Sequence, residues 1–103
     1  ICIFQPHTYT RTKAFLNQFS DALSLADVVV LADVYAARET DTLGIHMEDL
    51  ADDIRKKGTE SYFFPSFDAI ENYLLETCVD NDLLITMGAG DIYQVGEHLL
   101  GKR

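Results

Sequence analysis

The chain has 103 residues, 48% of them hydrophobic, enough for one domain around one core and too apolar for a disordered tail. A formal net charge of -9 argues against nucleic acid and anionic membranes as partners. No apolar run approaches transmembrane length, no signal peptide is visible, and Cys2 and Cys78 lack metal-ligand spacing. Both cysteines read as small buried hydrophobes, which suits a reducing compartment, and a cytoplasmic location is expected.

The chain opens without Met on an apolar run, residues 1–4, which reads as a buried strand and as the start of a piece cut from a longer protein. Pro6 cannot donate to a sheet ladder and biases Gln5 toward an extended shape, so the strand should end there. A loop over 5–12 follows, carrying His7, Thr8, Tyr9, Thr10, Arg11 and Thr12. Helical spacing of Phe15, Phe19, Ala22 and Leu23 predicts a helix over 13–25, capped by Thr10 or Thr12. Its uncompensated N–H groups, beside Arg11 and Lys13, make an anion site. Residues 1–20 contain those two cations and no acid, so the opening loop is a basic spot on an acidic body.

The β-branched run 28–32 predicts a strand covered on both faces. A loop over 33–46 leads to a helix over 47–57, whose core side is Met47, Leu50, Ala51 and Ile54, with Gly58 at its end. A third strand is expected over 60–64, stopped by Pro65. Ser66 caps a third helix with Phe67, Ile70, Leu74 and Cys78 as its stripe. After a turn at 80–82, residues 83–87 read as a strand, Gly88-Ala89-Gly90 as a tight turn, and 91–100 as the last helix. This alternation predicts a three-layer α/β/α Rossmann-like domain with a mainly parallel sheet and right-handed crossovers. All strands then point their carboxyl ends to one edge, where open α/β sheets bind ligands.

Four segments should meet at that edge: 5–12, 33–39, 65–66 and 88–91. Arg11 offers a planar fork for a carboxylate, or else pairs with an acid on a neighbouring helix. His7 can donate to an anion or orient a ligand, or is simply packed. Asp33 is a site carboxylate or a turn cap; Tyr35 is a site residue or packing; Arg38 and Glu39 reach the site or pair with each other. Gly88 and Gly90 let the backbone approach a ligand or another chain closely, at a helix start. The third glycine of the dinucleotide fingerprint is missing, and no Walker lysine loop exists. No metal cluster and no catalytic Ser-His-Asp set is apparent.

Three stretches carry a resemblance: Phe4-Gln5-Pro6-His7-Thr8-Tyr9-Thr10-Arg11-Thr12, Asp33-Val34-Tyr35-Ala36-Ala37-Arg38-Glu39 and Thr86-Met87-Gly88-Ala89-Gly90-Asp91. In this order they resemble the carboxyl-terminal domain of the Mur ligase family, in its branch that joins L-alanine to UDP-N-acetylmuramate. The resemblance implies that 1–103 is that domain without its first segment, since an Asp-Tyr-Gly-His-His-Pro stretch precedes the opening strand in relatives. It implies an ATP-dependent ligase of peptidoglycan precursor synthesis, with ATP and magnesium held mainly by a central P-loop domain and the UDP-sugar by an amino-terminal one. It assigns Arg11 and His7 to the L-alanine carboxylate and places Thr8, Asp33, Arg38, Gly88 and Gly90 at the site's edge. Many relatives carry Arg where this chain has Thr8, so the anion contact must lean on Arg11, the helix start or another domain. The isolated chain is expected to be inactive. The alternatives are a stand-alone Rossmann-like small-molecule-binding domain and a receiver-like signalling module. The latter lacks its acidic pair after the first strand, where Gln5-Pro6-His7 stands.

Overall fold

The computed structural model describes residues 1–36, 40–78, 83–88 and 91–99. In chain order its elements are β1 (Cys2–Gln5), α1 (Tyr9–Ala14), α2 (Leu16–Leu23), β2 (Val28–Leu31), α3 (Met47–Lys56), β3 (Glu60–Phe63), α4 (Phe67–Thr77), β4 (Ile85–Gly88) and α5 (Tyr93–Leu99). The four strands form one parallel sheet in the order β3-β2-β1-β4.

Alternation along each strand splits the core in two. Cys2, Phe4, Val29 and Leu31 face α2 and α3, where they meet Leu23, Leu50 and Ile54. Ile3, Val30 and Ala32 face the other way, against Ile70, Leu74, Ile92 and Val95 of α4, α5 and the turn before α5. This is the expected three-layer Rossmann-like arrangement. The β2 run is covered on both sides, with Val29, Val30 and Leu31 fully buried. The edge strand β4 is not: Ile85 is 47% and Met87 45% exposed. Cys2 is buried and lies with its Sγ 3.4 Å from the Met87 sulfur, and burial pushes its thiol pKa up. No disulfide joins Cys2 to Cys78.

The expected helix over 13–25 is two helices, beginning earlier. Thr8 is the cap, accepting from the Arg11 N–H at 3.3 Å, so neither Thr10 nor Thr12 serves. Thr12 is buried and donates its hydroxyl to the Thr8 carbonyl at 2.6 Å. Phe15, at φ -116° and ψ 19°, breaks the run and lets Phe19 swing onto Phe4, with ring centroids 5.1 Å apart. Elsewhere the differences are small. Helix α3 ends at Lys56, with Gly58 following at φ 92° in the left-handed conformation that suits glycine after a helix. Ser66 caps α4 as expected, accepting from the Ala69 N–H at 3.2 Å. Strand β4 starts at Ile85 and ends on Gly88; the remaining residues of the expected tight turn, Ala89 and Gly90, lie outside the described residues.

The loop between β2 and α3 contains a strained point. Leu43 (φ 55°) and Gly44 (φ 74°) are the centre of a turn closed by the Ile45 N–H on the Thr42 carbonyl at 2.9 Å. Left-handed backbone at a leucine costs about 1–2 kcal/mol, whereas asparagine tolerates it. Leu43→Asn should therefore stabilise the chain by about 0.5–1 kcal/mol, read as a higher urea midpoint. A lower midpoint would mean that packing of the partly covered Leu43 side chain outweighs the strain.

Candidate functional site

The connection after β1 leads to α1 and α2 on one face of the sheet, and the connection after β4 leads to α5 on the other. The crevice between the carboxyl ends of β1 and β4 is thus the switch point of this parallel sheet, the place where such folds take ligands. Gln5 and Gly88 are register partners at its floor. His7, Asp33 and Gly88 all lie at this edge, as the sequence implied.

The β1 and β2 loops are tied together just past the sheet. The Tyr35 N–H donates to the Pro6 carbonyl at 2.9 Å, and the Thr8 N–H donates to the Tyr35 carbonyl at 2.8 Å. His7 and Tyr35 form a parallel bridge, and their rings stack at 5.7 Å with 17° between planes. Tyr35 belongs to neither core cluster, so its ring is stacked on the site loop and is not core packing. Thr8 sits at φ 60° and ψ 149°, a region almost reserved for glycine, at a cost of about 1–3 kcal/mol. The two hydrogen bonds through Tyr35 and the Thr8 cap hold it there.

Arg11 is the third residue of α1 and exposed. Among the described residues its guanidinium has no ion-pair partner, so the alternative of a surface pair with a neighbouring helix is not realised there. Lys13 is exposed on the same helix. Asp33 is exposed but partly committed: its Oδ1 accepts from the Val34 N–H at 2.9 Å, the turn-capping role. Arg38 and Gly90 lie outside the described residues.

Gln5 is the site residue that sequence reasoning passed over. It is only 7% exposed, its Nε2 donates to the Asp33 carbonyl at 3.2 Å, and its Oε1 is buried with no partner among the described residues. Its backbone also explains Gly88. A Cβ on Gly88 would stand 2.7 Å from the Gln5 carbonyl oxygen, so the close approach glycine permits here is to β1. A polar residue closing an apolar strand, just before a proline, was the available signal.

Cavities open at both edges of the sheet. One of about 250 Å³ opens at the same edge, between Tyr9, Asp33, His46, Glu48 and Phe63. The larger, about 510 Å³, lies at the opposite edge around Cys2, Leu25, Tyr73 and Ile85, away from the switch point. We place the site by the switch point and its side chains, because cavity size alone carries no chemistry. Among the described residues no three His, Cys, Asp or Glu side chains converge to hold a metal ion, and no helix is long and apolar enough to cross a membrane.

Comparison with known proteins agrees with this frame. The chain is 60% identical over 102 residues to the UDP-N-acetylmuramate–L-alanine ligase of Agathobacter rectalis, covering 99% of this chain and 22% of that one. It is 62% identical over 98 residues to the enzyme of the same name from Lachnospira eligens, with 95% and 21% covered. The Acetivibrio thermocellus enzyme of that name is 50% identical over 98 residues, again covering 95% and 21%. The chain therefore spans about a fifth of the length of the curated relatives it matches. Residues 1–90 match the family described as Mur ligase, glutamate ligase domain. With the parallel α/β sheet and a match over most of its length, the chain belongs to that Mur ligase domain family.

Proposed function

We propose that the chain is part of the carboxyl-terminal domain of an ATP-dependent UDP-N-acetylmuramate:L-alanine ligase of peptidoglycan precursor synthesis. Its part is to hold the incoming L-alanine by the carboxylate, through Arg11 and His7. The observation that carries this is the exposed Arg11 fork, unpaired among the described residues, on the helix that leaves the tied His7–Tyr35 loop at the switch point. The name of the relatives supplies the amino acid and the acceptor.

L-Alanine gives a protein three handles: a carboxylate, an amine and one methyl. The amine must stay free to attack, and burying the methyl contributes about 1 kcal/mol. The carboxylate is the handle left, and a guanidinium pairs with it bidentately. Closing this domain over the neighbouring ones aligns the amine with an activated muramate carboxyl and keeps water out. ATP and magnesium belong to that activation. The residues of this chain do not fit them: the sequence has no Walker loop, and the described residues have no convergent metal-ligand set. Both are assigned to the central domain of the parent, and the UDP-sugar to its amino-terminal domain, in the cytoplasm.

The test is a division of labour. The full-length parent should convert UDP-N-acetylmuramate and L-alanine to the amide with release of phosphate from ATP. The 103-residue chain alone should release none. A parent that forms no amide sinks the functional reading; a chain that hydrolyses ATP by itself, with contaminants excluded, sinks the assignment of ATP to another domain.

A further inference from the structure

Tyr35 is 36% exposed and lies outside both core clusters. Its one described ring contact is the stack on His7. The same residue closes the loop with its main chain, donating to the Pro6 carbonyl and accepting from the Thr8 N–H. Pro6, His7 and Thr8 are thus gripped on three consecutive residues from a segment 28 positions downstream. Thr8 needs such a grip, because a β-branched residue at φ 60° and ψ 149° relaxes unless its surroundings over-determine it. Gln5 adds a second tie between the same two loops, through its amide on the Asp33 carbonyl.

We propose that Tyr35 is a positioning residue: its ring holds the His7 imidazole in the orientation that receives the amino-acid carboxylate. This rests on the assignment of His7 and Arg11 to that carboxylate. The physical reason is preorganisation. A ring on a surface loop samples several rotamers, and a ligand must then select one at a cost in affinity. An imidazole already stacked on an aromatic face has met that cost during folding. The main-chain bridge does not depend on the side chain, so substitution of Tyr35 removes the stack and leaves the tie between loops in place.

The experiment is a double-mutant cycle in the full-length parent, with steady-state KM read separately for L-alanine, ATP and the UDP-sugar. His7→Ala and Tyr35→Ala should each raise the L-alanine KM, by roughly 10-fold and roughly 5-fold, with the other two KM values moving less than about 2-fold. Because Tyr35 acts through His7, the double variant should be no worse than His7→Ala alone. Tyr35→Phe, which keeps the ring, should restore the L-alanine KM to within about 2-fold of the parent. Tyr35→Leu keeps bulk without a π face and should behave as Tyr35→Ala; it substitutes for that variant if truncation impairs folding. Histidine-selective NMR gives an activity-independent arm: His7 ring protons, shielded by the stacked phenol, should move downfield in Tyr35→Leu and stay in place in Tyr35→Phe.

Additive single effects, failure of Phe to restore, or unmoved His7 resonances would each overturn the proposal. If His7→Ala raises the KM and Tyr35→Leu does not, positioning fails while the carboxylate assignment stands. If His7→Ala and Arg11→Ala both leave the KM unchanged although the His7 resonances move, the carboxylate assignment has failed and the stack is structural only.

Discussion

Replacing Arg11 by alanine in the full-length parent should raise the KM for L-alanine by roughly 10- to 100-fold, the equivalent of about 1.5–3 kcal/mol for a charged hydrogen bond. Arg11 is one of two cations in the acid-free first 20 residues of a chain with net charge -9. It is exposed on α1, and among the described residues no carboxylate neutralises it. Thr8 is already committed: its Oγ1 accepts from the Arg11 N–H and its carbonyl from the Thr12 hydroxyl. It contributes no charge. Arg11→Lys keeps the charge but loses the second parallel hydrogen bond, so its KM should fall between the parent and the alanine variant. The KM values for ATP and the UDP-sugar should move much less. An alanine variant that folds normally with an unchanged L-alanine KM would make Arg11 an ordinary surface residue.

The layered fold was legible because its signals are local. The β-branched run beginning at Val28, the stripe Met47-Leu50-Ala51-Ile54, and the stops at Pro6, Gly58 and Pro65 each act within a few residues, and the elements they predict stand in the structure. The miss at the first helix is also physical. Thr8 was passed over as a cap because a threonine at positive φ has no local signature. The conformation is imposed by Tyr35, 27 positions away in sequence. The same holds for the site. His7, Arg11 and Asp33 were visible as chemistry-bearing side chains after strands. Gln5 and Tyr35, which bind the two loops together, do so through contacts that no window of sequence spans. Gly88 was noticed for its missing Cβ, but the room that this leaves for the Gln5 carbonyl depends on a strand 83 positions away in sequence.

That neighbour makes Gly88→Ala the substitution with the largest expected effect on stability. The added Cβ would lie 2.7 Å from the Gln5 carbonyl oxygen, 3.1 Å from the Ile92 Cγ2 and 3.3 Å from the Gln5 Cβ. Ile92 is buried in the core and stiff at its branched Cβ, and the Gln5 carbonyl cannot move without widening the pairing of β1 and β4. The backbone at φ 153° is itself costly for any residue with a Cβ. Overpacking and backbone strain together should cost about 2–4 kcal/mol, a large share of what holds a domain of this size together. Gly96→Ala is the matched control. It lies inside α5, among the described residues its Cβ would meet just the Thr86 Cγ2 at 3.8 Å, and glycine is a poor helix former. That change should stabilise the chain by about 0.5–1 kcal/mol. Urea unfolding of the two variants should therefore shift the midpoint in opposite directions. If Gly88→Ala unfolds within about 0.5 kcal/mol of the parent, β4 relieves the clash by peeling its carboxyl end from β1. Gln5 would then lose its roof, and the crevice at the switch point would be wider than the sheet register implies.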